Sequence, residues 1–408
     1  MKVRLSSFSQ GMFVQLEDKF RIRFFKELHK VAGSWAAMAR YCGTSEGNVH
    51  HYITGKMRVP LHLAYRLAKL IGLSIQELEN HILWVGSRNR VGIERPKITF
   101  RFDTPEGAKF IMAILCDGKF GKDLRPTYYN FNTILRESVA ESARNIFGEV
   151  RVYESPNHGM LRFPKIVGHV LSCVGIPAGN KTLRDPHIPD FIKYGKEPLL
   201  ESALRQILDD EGSIDWRYGK IVVHFSRDIT DLSKCASKRE YARKWEIYAP
   251  NLLKDTAFIL ERLGIRHSML RVERIRSTSK GCLKLDWVLS ISGYINLVKV
   301  LHVSPTHPEK RAALSAYLGN LSRAGDFQSL NKALVSFSKI RSELPYVTSK
   351  DLAERMNISR GYAKLLLKRL RKEEFIKFAQ KREKQTEPFK HGFTEKGKKE
   401  AVVQAKFF

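Results

Sequence analysis

The sequence predicts an α+β chain in which a central unit repeats one order of helices and strands. A helical segment precedes this unit, and a second, mainly helical segment with a strand pair follows it. Three observations carry the prediction. Two apolar segments, starting at Phe110 and Leu204, each end in an acid followed by glycine. After each, stretches of helical and strand periodicity follow in a matching order. The composition also shifts twice, at a polar, arginine-bearing stretch over 84–96 and again after Phe327.

A length of 408 residues suits about two or three domains, and 43% hydrophobic residues suffice to give them cores. The 71 Lys and Arg against 42 Asp and Glu leave a net charge of +29, which makes nucleic acid the expected partner. No apolar run approaches the roughly 18 residues of a membrane span, and no basic amphipathic helix presents a clean apolar face. A membrane partner is therefore not expected. Met1 to Phe8 carries charge without the apolar stretch of a secretory signal, so the protein is expected in the cytoplasm. Cys42, Cys116, Cys173, Cys235 and Cys282 are odd in number and widely spaced, which predicts core thiols in a reducing compartment and neither a disulfide framework nor a zinc site.

Along the chain, residues 1–20 read as a basic N-terminal segment and 21–83 as an all-α bundle. Trp35 to Cys42 is an apolar-faced helix closed by Gly43, and Thr44-Ser45 supplies the N-cap of a second helix from Glu46 to Ile53. Val49, Tyr52 and Ile53 would face inward, Gly55 ends the helix, and Arg58-Val59-Pro60 opens another from Leu61 to Ile71. This order resembles the phage-repressor type of helix-turn-helix domain. The resemblance places Ser45, Glu46, Asn48, His50 and His51 toward the groove of DNA, with Lys56 and Arg58 near phosphate; Asn48 would pair with adenine. Residues 84–96 read as a linker.

Residues 97–325 form the central unit, in two copies over about 97–190 and 191–325. In the first, Phe110 to Leu115 is apolar and runs through Cys116 into Asp117-Gly118; Pro126 to Asn132 is strand-like, Ile134 to Phe147 helical, and Glu149 to Tyr153 alternates as a strand. In the second, Leu204 to Leu208 leads through Asp209-Asp210 into Glu211-Gly212. Ile221 to Ser226 is the matching strand, Pro250 to Leu263 the matching helix, Trp287 to Ser292 a later strand, and Ile295 to Leu301 the closing helix. Asp231 to Trp245 reads as an inserted loop or exposed helix. Each glycine is expected to let the chain leave its helix sharply, holding the acid at the end of a rigid rod.

The two acid-glycine segments resemble the LAGLIDADG motif of homing endonucleases, the second following it almost letter for letter. The resemblance implies a pseudo-dimeric αββαββα fold whose two sheets form a saddle over DNA. It also implies a monomer with internal pseudo-two-fold symmetry and a staggered double-strand cut across the minor groove. Asp117 and Glu211 would hold Mg2+ or Mn2+, with the main-chain carbonyls of Cys116 and Asp210 as further ligands. Lys181 and Lys310, ending comparable segments of the copies, are the candidate basic residues that polarise water or phosphate. Lys122, Arg125, Tyr128, Asn130 and Asn132 in one copy, and Arg217, Tyr218, Lys220 and His224 in the other, would read the major groove. The family's helices meet through small residues, whereas Ile111 and Met112 in one copy and Arg205 and Gln206 in the other are large, which predicts a looser central contact.

Residues 326–408 form the last domain, and its stretch 331–408 carries 20 Lys and Arg against 9 Asp and Glu. Thr348 to Ser359 reads as helix and turn, and Arg360 to Lys372 as a basic helix with Ala363, Leu366, Leu367 and Leu370 inward. Phe375 to Phe378 begins a strand, and Lys381 to His391 is a hairpin tip. The sum resembles a winged helix, with Arg360, Lys364, Lys368 and Arg369 toward DNA and Lys381, Arg382 and Lys384 in the wing.

The leading expectation is thus a site-specific, metal-dependent DNA endonuclease. The alternatives are a DNA-binding regulator on an inactive scaffold, for which bacterial WhiA-type regulators are the precedent, and an RNA-binding maturase. Met1 precedes no splicing cysteine and no His-Asn step ends the chain, so a free-standing protein is expected rather than an intein.

Overall fold

The computed structural model describes residues 1–88, 90–215, 219–230, 237–278, 281–323, 328–356, 358, 360–380 and 390–405. It is a mixed α+β architecture with many helices and several antiparallel sheets. Two compact units divide it, Met1–Leu314 and Ser315–Phe408. The division falls before the expected one near 325, inside a helix that runs across it.

The first unit opens with β1 (Lys2–Arg4), β2 (Met12–Leu16), α1 (Asp18–Ala32), α2 (Trp35–Cys42), α3 (Glu46–Thr54), β3 (Val59–Pro60), α4 (Leu61–Leu70), α5 (Ile75–Asn80), β4 (Ile82–Ser87), β5 (Gly92–Glu94) and β6 (Thr99–Arg101). The glycine and serine signals act as expected. Gly43 closes α2 and Gly55 closes α3 in the left-handed conformation, and the Ser45 hydroxyl accepts the Asn48 N–H at the start of α3. Val49 and Tyr52 are buried, while Ile53 is half-buried.

Three expectations fail here. Residues 1–20 are not a loose basic segment, because Met12, Val14 and Leu16 are buried and pair as a strand with β4. The N-terminal region is consequently not all-α. Residues 84–96 are not a linker either; they supply β4 and β5 of a five-stranded sheet ordered β3-β2-β4-β5-β9. Its last strand, β9 (Glu149–Val150), comes from the central region. Separately, β1 pairs with β6, setting Val3 against Phe100.

The central region then runs α6 (Pro105–Leu115), β7 (Gly118–Phe120), β8 (Pro126–Tyr129), α7 (Thr133–Phe147), β9, β10 (Tyr153–Ser155), β11 (Met160–Arg162), α8 (Lys165–Cys173), α9 (Lys181–Arg184) and α10 (Asp190–Lys193). The alternation over 149–153 is therefore two strands in different sheets, not one. A second series follows: α11 (Glu197–Asp210), β12 (Gly212–Asp215), β13 (Lys220–Ile229), α12 (Lys238–Arg243), α13 (Trp245–Tyr248), α14 (Asn251–Arg262), β14 (Arg271–Ser277), β15 (Leu283–Ser292), α15 (Tyr294–Val303) and α16 (Pro308–Arg323). Of the inserted segment, 231–236 lies outside the described residues and α12 follows it.

Each series makes one four-stranded antiparallel sheet, β7-β8-β11-β10 and β12-β13-β15-β14. In both, the first strand after the acid pairs with the second, the second with the fourth, and the fourth with the third. β13 and β15 pair over ten positions, from Lys220 against Ser292 to Ile229 against Leu283, and bury Trp287, Leu289 and Ile291 on the way. Between the series α6 packs against α11, and the Ser202 hydroxyl donates to the Pro105 carbonyl at 2.6 Å.

The second unit continues with α17 (Gln328–Glu343), α18 (Ser349–Met356), α19 (Arg360–Lys372), β16 (Ile376–Gln380), β17 (Lys390–Phe393) and α20 (Glu395–Ala405). β16 and β17 pair antiparallel, and Val347 bridges to His391. Ala363, Leu366, Leu367 and Leu370 are buried beside Phe337, Leu352 and Phe375 in its core. Cys42 and Cys116 are buried, but Cys173 is exposed and Cys282 half-buried, so only two of these four are core residues. Cys235 lies outside the described residues.

Candidate active site

Asp117 and Glu211 stand at equivalent points of the two series, where α6 and α11 give way to β7 and β12. The glycine after each acid works differently from expectation. Neither Gly118 nor Gly212 has a positive φ. Each is required by close approach: a Cβ on Gly118 would lie 2.4 Å from the Ile114 carbonyl oxygen, and one on Gly212 would lie 2.6 Å from that of Leu208. The departing strand thus folds tightly against the last helical turn. The next backbone bonds also match, with the Tyr129 N–H donating to the Asp117 carbonyl and the His224 N–H to that of Glu211, both at 3.3 Å.

Both candidate lysines sit on the ends of these helices. Lys181 donates to the Leu115 carbonyl at 3.3 Å, two residues before Asp117. Lys310 donates to the carbonyls of Leu208 at 3.1 Å and Asp209 at 2.6 Å, the latter two residues before Glu211. A helix C-terminus carries partial negative charge and unpaired carbonyls, so an ammonium group is held there both by charge and by hydrogen bonds. Asp209 also fixes the segment that delivers Lys310. Its carboxylate accepts the Thr306 and His307 N–H groups at 3.1 and 2.9 Å, just ahead of α16.

The site is rich in charge removed from water. Burial pushes Glu211 up from 4.5 to about 7, Asp117 adds to the rise, and Lys181, Lys310 and Lys284 oppose it. Burial likewise raises Asp117, again against Lys181 and Lys310. The Lys310 ammonium is lowered by burial in spite of the surrounding acids. A cleft of about 190 Å³ opens beside Glu211, lined among others by Lys181, His224 and Lys284.

The site holds a third carboxylate, on Asp210, which the sequence pointed to only for its main-chain carbonyl. Asp210 occupies the position that Cys116 holds in the first series and is half-buried. It accepts the Tyr128 hydroxyl at 2.7 Å and a Gln206 amide N–H at 2.8 Å. Burial first, then the charge of Asp117, hold it well above the usual carboxylate range. The acid in place of a thiol was the available signal. Met112 and Gln206 are both fully buried, and Arg205 points elsewhere, its Nε donating to the Val303 carbonyl at 2.7 Å. The large residues at the motif positions thus fit into the interior without parting α6 from α11.

The Cys116 thiol is buried and pushed well up, chiefly by burial and then by Glu211 and Asp210, so this residue offers a main-chain oxygen rather than a thiolate. Among the described residues no three His, Cys, Asp or Glu side chains form a metal-binding group. The available donors are the Asp117 and Glu211 carboxylates with neighbouring carbonyls, an all-oxygen set suited to a cation that retains waters and takes further ligands from substrate.

The expected groove-reading residues separate into two groups. Lys122 is exposed, and Arg125 and Lys220 are half-buried. Tyr128, by contrast, is fully buried against Asp210 and cannot reach a base. The Asn132 side chain caps α7 by accepting the Leu135 N–H, and the Asn130 amide approaches the Asp117 carboxylate at 3.5 Å, so both serve the interior. His224 lies between Ser213 and Glu273. Arg217 and Tyr218 lie outside the described residues.

In α3 the Asn48 amide donates to the Thr44 hydroxyl at 2.7 Å, which ties up part of the edge expected to read adenine. Glu46, His50 and Lys56 are exposed and His51 is half-buried. Arg58 is not free near the helix; its guanidinium lies over the Trp84 ring, 3.5 Å from the centroid. In the second unit Arg360, Lys364 and Lys368 are exposed at four-residue spacing along α19, and Arg369 is half-buried. Lys381, Arg382 and Lys384 lie outside the described residues. No helix among the described residues is long and apolar enough to cross a membrane. No protein-family model and no curated protein sequence matches the chain.

Proposed function

We propose that the protein is a site-specific, divalent-metal-dependent endonuclease of double-stranded DNA, of the LAGLIDADG homing-endonuclease type. Under this reading the two four-stranded sheets are the halves of the DNA saddle. One observation carries the reading: two packed helices each end in an acid, and each receives a lysine on the carbonyls just before that acid. An ordinary acid-glycine turn has no reason to be duplicated together with its lysine.

Asp117 and Glu211, with the carbonyls of Cys116 and Asp210, are the residues that would hold Mg2+ or Mn2+. Their fit rests on chemistry: carboxylates raised by lost hydration, Glu211 also by the charge of Asp117, gain from a hard cation. Such an ion supplies charge relief at a scissile phosphate and makes bound water acidic enough to attack near neutral pH. The remaining roles belong to the chain. Lys181 and Lys310 keep fixed positive charge beside the acids, where a phosphate gains charge during hydrolysis. Lys284 in the adjoining cleft is a further cation for phosphate.

A DNA-binding regulator on the same scaffold is the second reading. What favours it is the row of exposed basic residues Arg360, Lys364 and Lys368 along α19, which can hold duplex without any cleavage chemistry. Incubation with a randomised duplex library, in Mg2+ and then in EDTA, separates the two. Metal-dependent breaks support the nuclease, and retention of duplexes without breaks supports the regulator.

A further inference from the structure

Outside the acid pair, a groove of about 700 Å³ lies on the five-stranded sheet. A row of directly paired residues crosses the sheet beside it: Gln15 opposite Trp84, Trp84 opposite Glu94, and Glu94 opposite Glu149. Trp84 is clamped by two glycines, since a Cβ on Gly86 or Gly92 would stand 2.7 or 2.5 Å from its ring. Over that fixed ring lies Arg58. Arg151 is held by Glu94 at 2.9 Å and Arg95 by Glu149 at 3.2 Å, while Arg90 completes the lining.

Four guanidinium groups thus converge against two carboxylates. Each guanidinium has five N–H donors, so contact with a ring or one carboxylate leaves an edge for another anion. Half of the lining residues are charged, whereas a pocket for a small organic molecule is mostly apolar. Charge complementarity therefore selects a polyanion with repeated phosphates.

We infer that this groove is a second DNA contact, which binds the phosphodiester backbone of duplex flanking the segment held at the acid pair. The inference rests on the DNA-binding part of the proposed function, not on cleavage. It gives a role to β4 and β5: their Trp84 and Glu94 fix arginines from the neighbouring segments, and Arg58 belongs to this surface rather than to the tip of α3.

The test is the salt dependence of binding by the full chain to random-sequence duplex DNA in EDTA. Each lost phosphate contact lowers the slope of log affinity against log salt by about 0.9. The double variant Arg58→Gln/Arg90→Gln is expected to lower it by about 1 to 2. Glu94→Gln/Glu149→Gln is expected to act in the opposite sense, with tighter binding, because it removes the only acids of the row. Equal slopes for both variants and the unaltered chain overturn the inference. So does saturable binding of ATP that Arg58→Gln/Arg90→Gln abolishes while duplex binding is unchanged, which would make the groove a nucleotide pocket. A chain that binds duplex with the expected slopes yet makes no metal-dependent breaks retains the groove and loses the nuclease reading.

Discussion

The Tyr128 hydroxyl donates to the Asp210 carboxyl at 2.7 Å, joining residues 82 apart in sequence. The bond ties a strand of the first series to the helix end of the second, next to both acids of the candidate site. Asp210 sits well above the usual carboxylate range because burial and Asp117 penalise its charge. Its hydrogen bonds, not solvent, keep it in place.

Removing that hydroxyl leaves a buried carboxyl short of a partner. Tyr128→Phe is expected to destabilise the unit Met1–Leu314 by about 1–3 kcal/mol in urea unfolding. Asp210→Asn removes a latent charge and keeps one acceptor oxygen for the Tyr128 hydroxyl; with the Gln206 amide turned so that its unpartnered Oε1 accepts the new N–H, its cost is expected to stay below about 1 kcal/mol. A neutral Tyr128→Phe contradicts this account of the interface.

Glu211 makes stability depend on pH in an unusual direction. Its folded pKa of about 7 exceeds the ordinary 4.5, so between these values the folded state binds the proton that the unfolded state has lost. The stabilisation from protonated Glu211 is complete below about 4.5 and is lost as pH rises through 7. Relative to Glu211→Gln, the unaltered chain in EDTA is expected to lose on the order of 3 kcal/mol across that window. Denaturation midpoints for the two proteins at pH 5 and 8 check the sign; a parallel pair of profiles contradicts it.

Gly118→Ala and Gly212→Ala force a methyl group onto backbone that cannot retreat without parting strand from helix. Each is expected to cost more than about 2 kcal/mol. Gly43→Ala meets no atom within 4 Å and strains only a positive φ of 65, so a smaller loss of about 1–2 kcal/mol is expected. Thermal melting of the three variants gives the comparison.

Arg360→Gln, Lys364→Gln and Lys368→Gln on α19 are expected to weaken duplex binding at low salt, each lowering the salt slope by about 0.9. Because these side chains are exposed, stability is expected to change by less than about 0.5 kcal/mol. Anisotropy titrations at several salt concentrations, paired with melting curves, measure both.

What was legible in the sequence was local. The bounds of α19 and the turn from α2 into α3 follow from caps, glycines and helical periodicity, all within a few residues of where they act. The pairing of Glu94 with Glu149, or of Val3 with Phe100, depends on chain segments far apart and on strands too short to display a period, so 1–20 read only as a basic segment and 84–96 as a linker. Alternation also leaves open which face of a strand is buried. That ambiguity misplaced Tyr128 on the DNA side, although its neighbours Lys122 and Arg125 are accessible. The acid-glycine repeat and its two lysines were readable because they recur. Asp210 was not, since its meaning lies in partners on another element.

The central claim is that Asp117 and Glu211 act together in metal-dependent cleavage of DNA. Its most direct measurement is break formation in a randomised duplex library by the unaltered chain, Asp117→Asn and Glu211→Gln, each in Mg2+ and in EDTA. The account predicts double-strand breaks only for the unaltered chain with Mg2+, and nicked or intact duplex for the two variants. Breaks that persist unchanged in both variants, or in EDTA, contradict it.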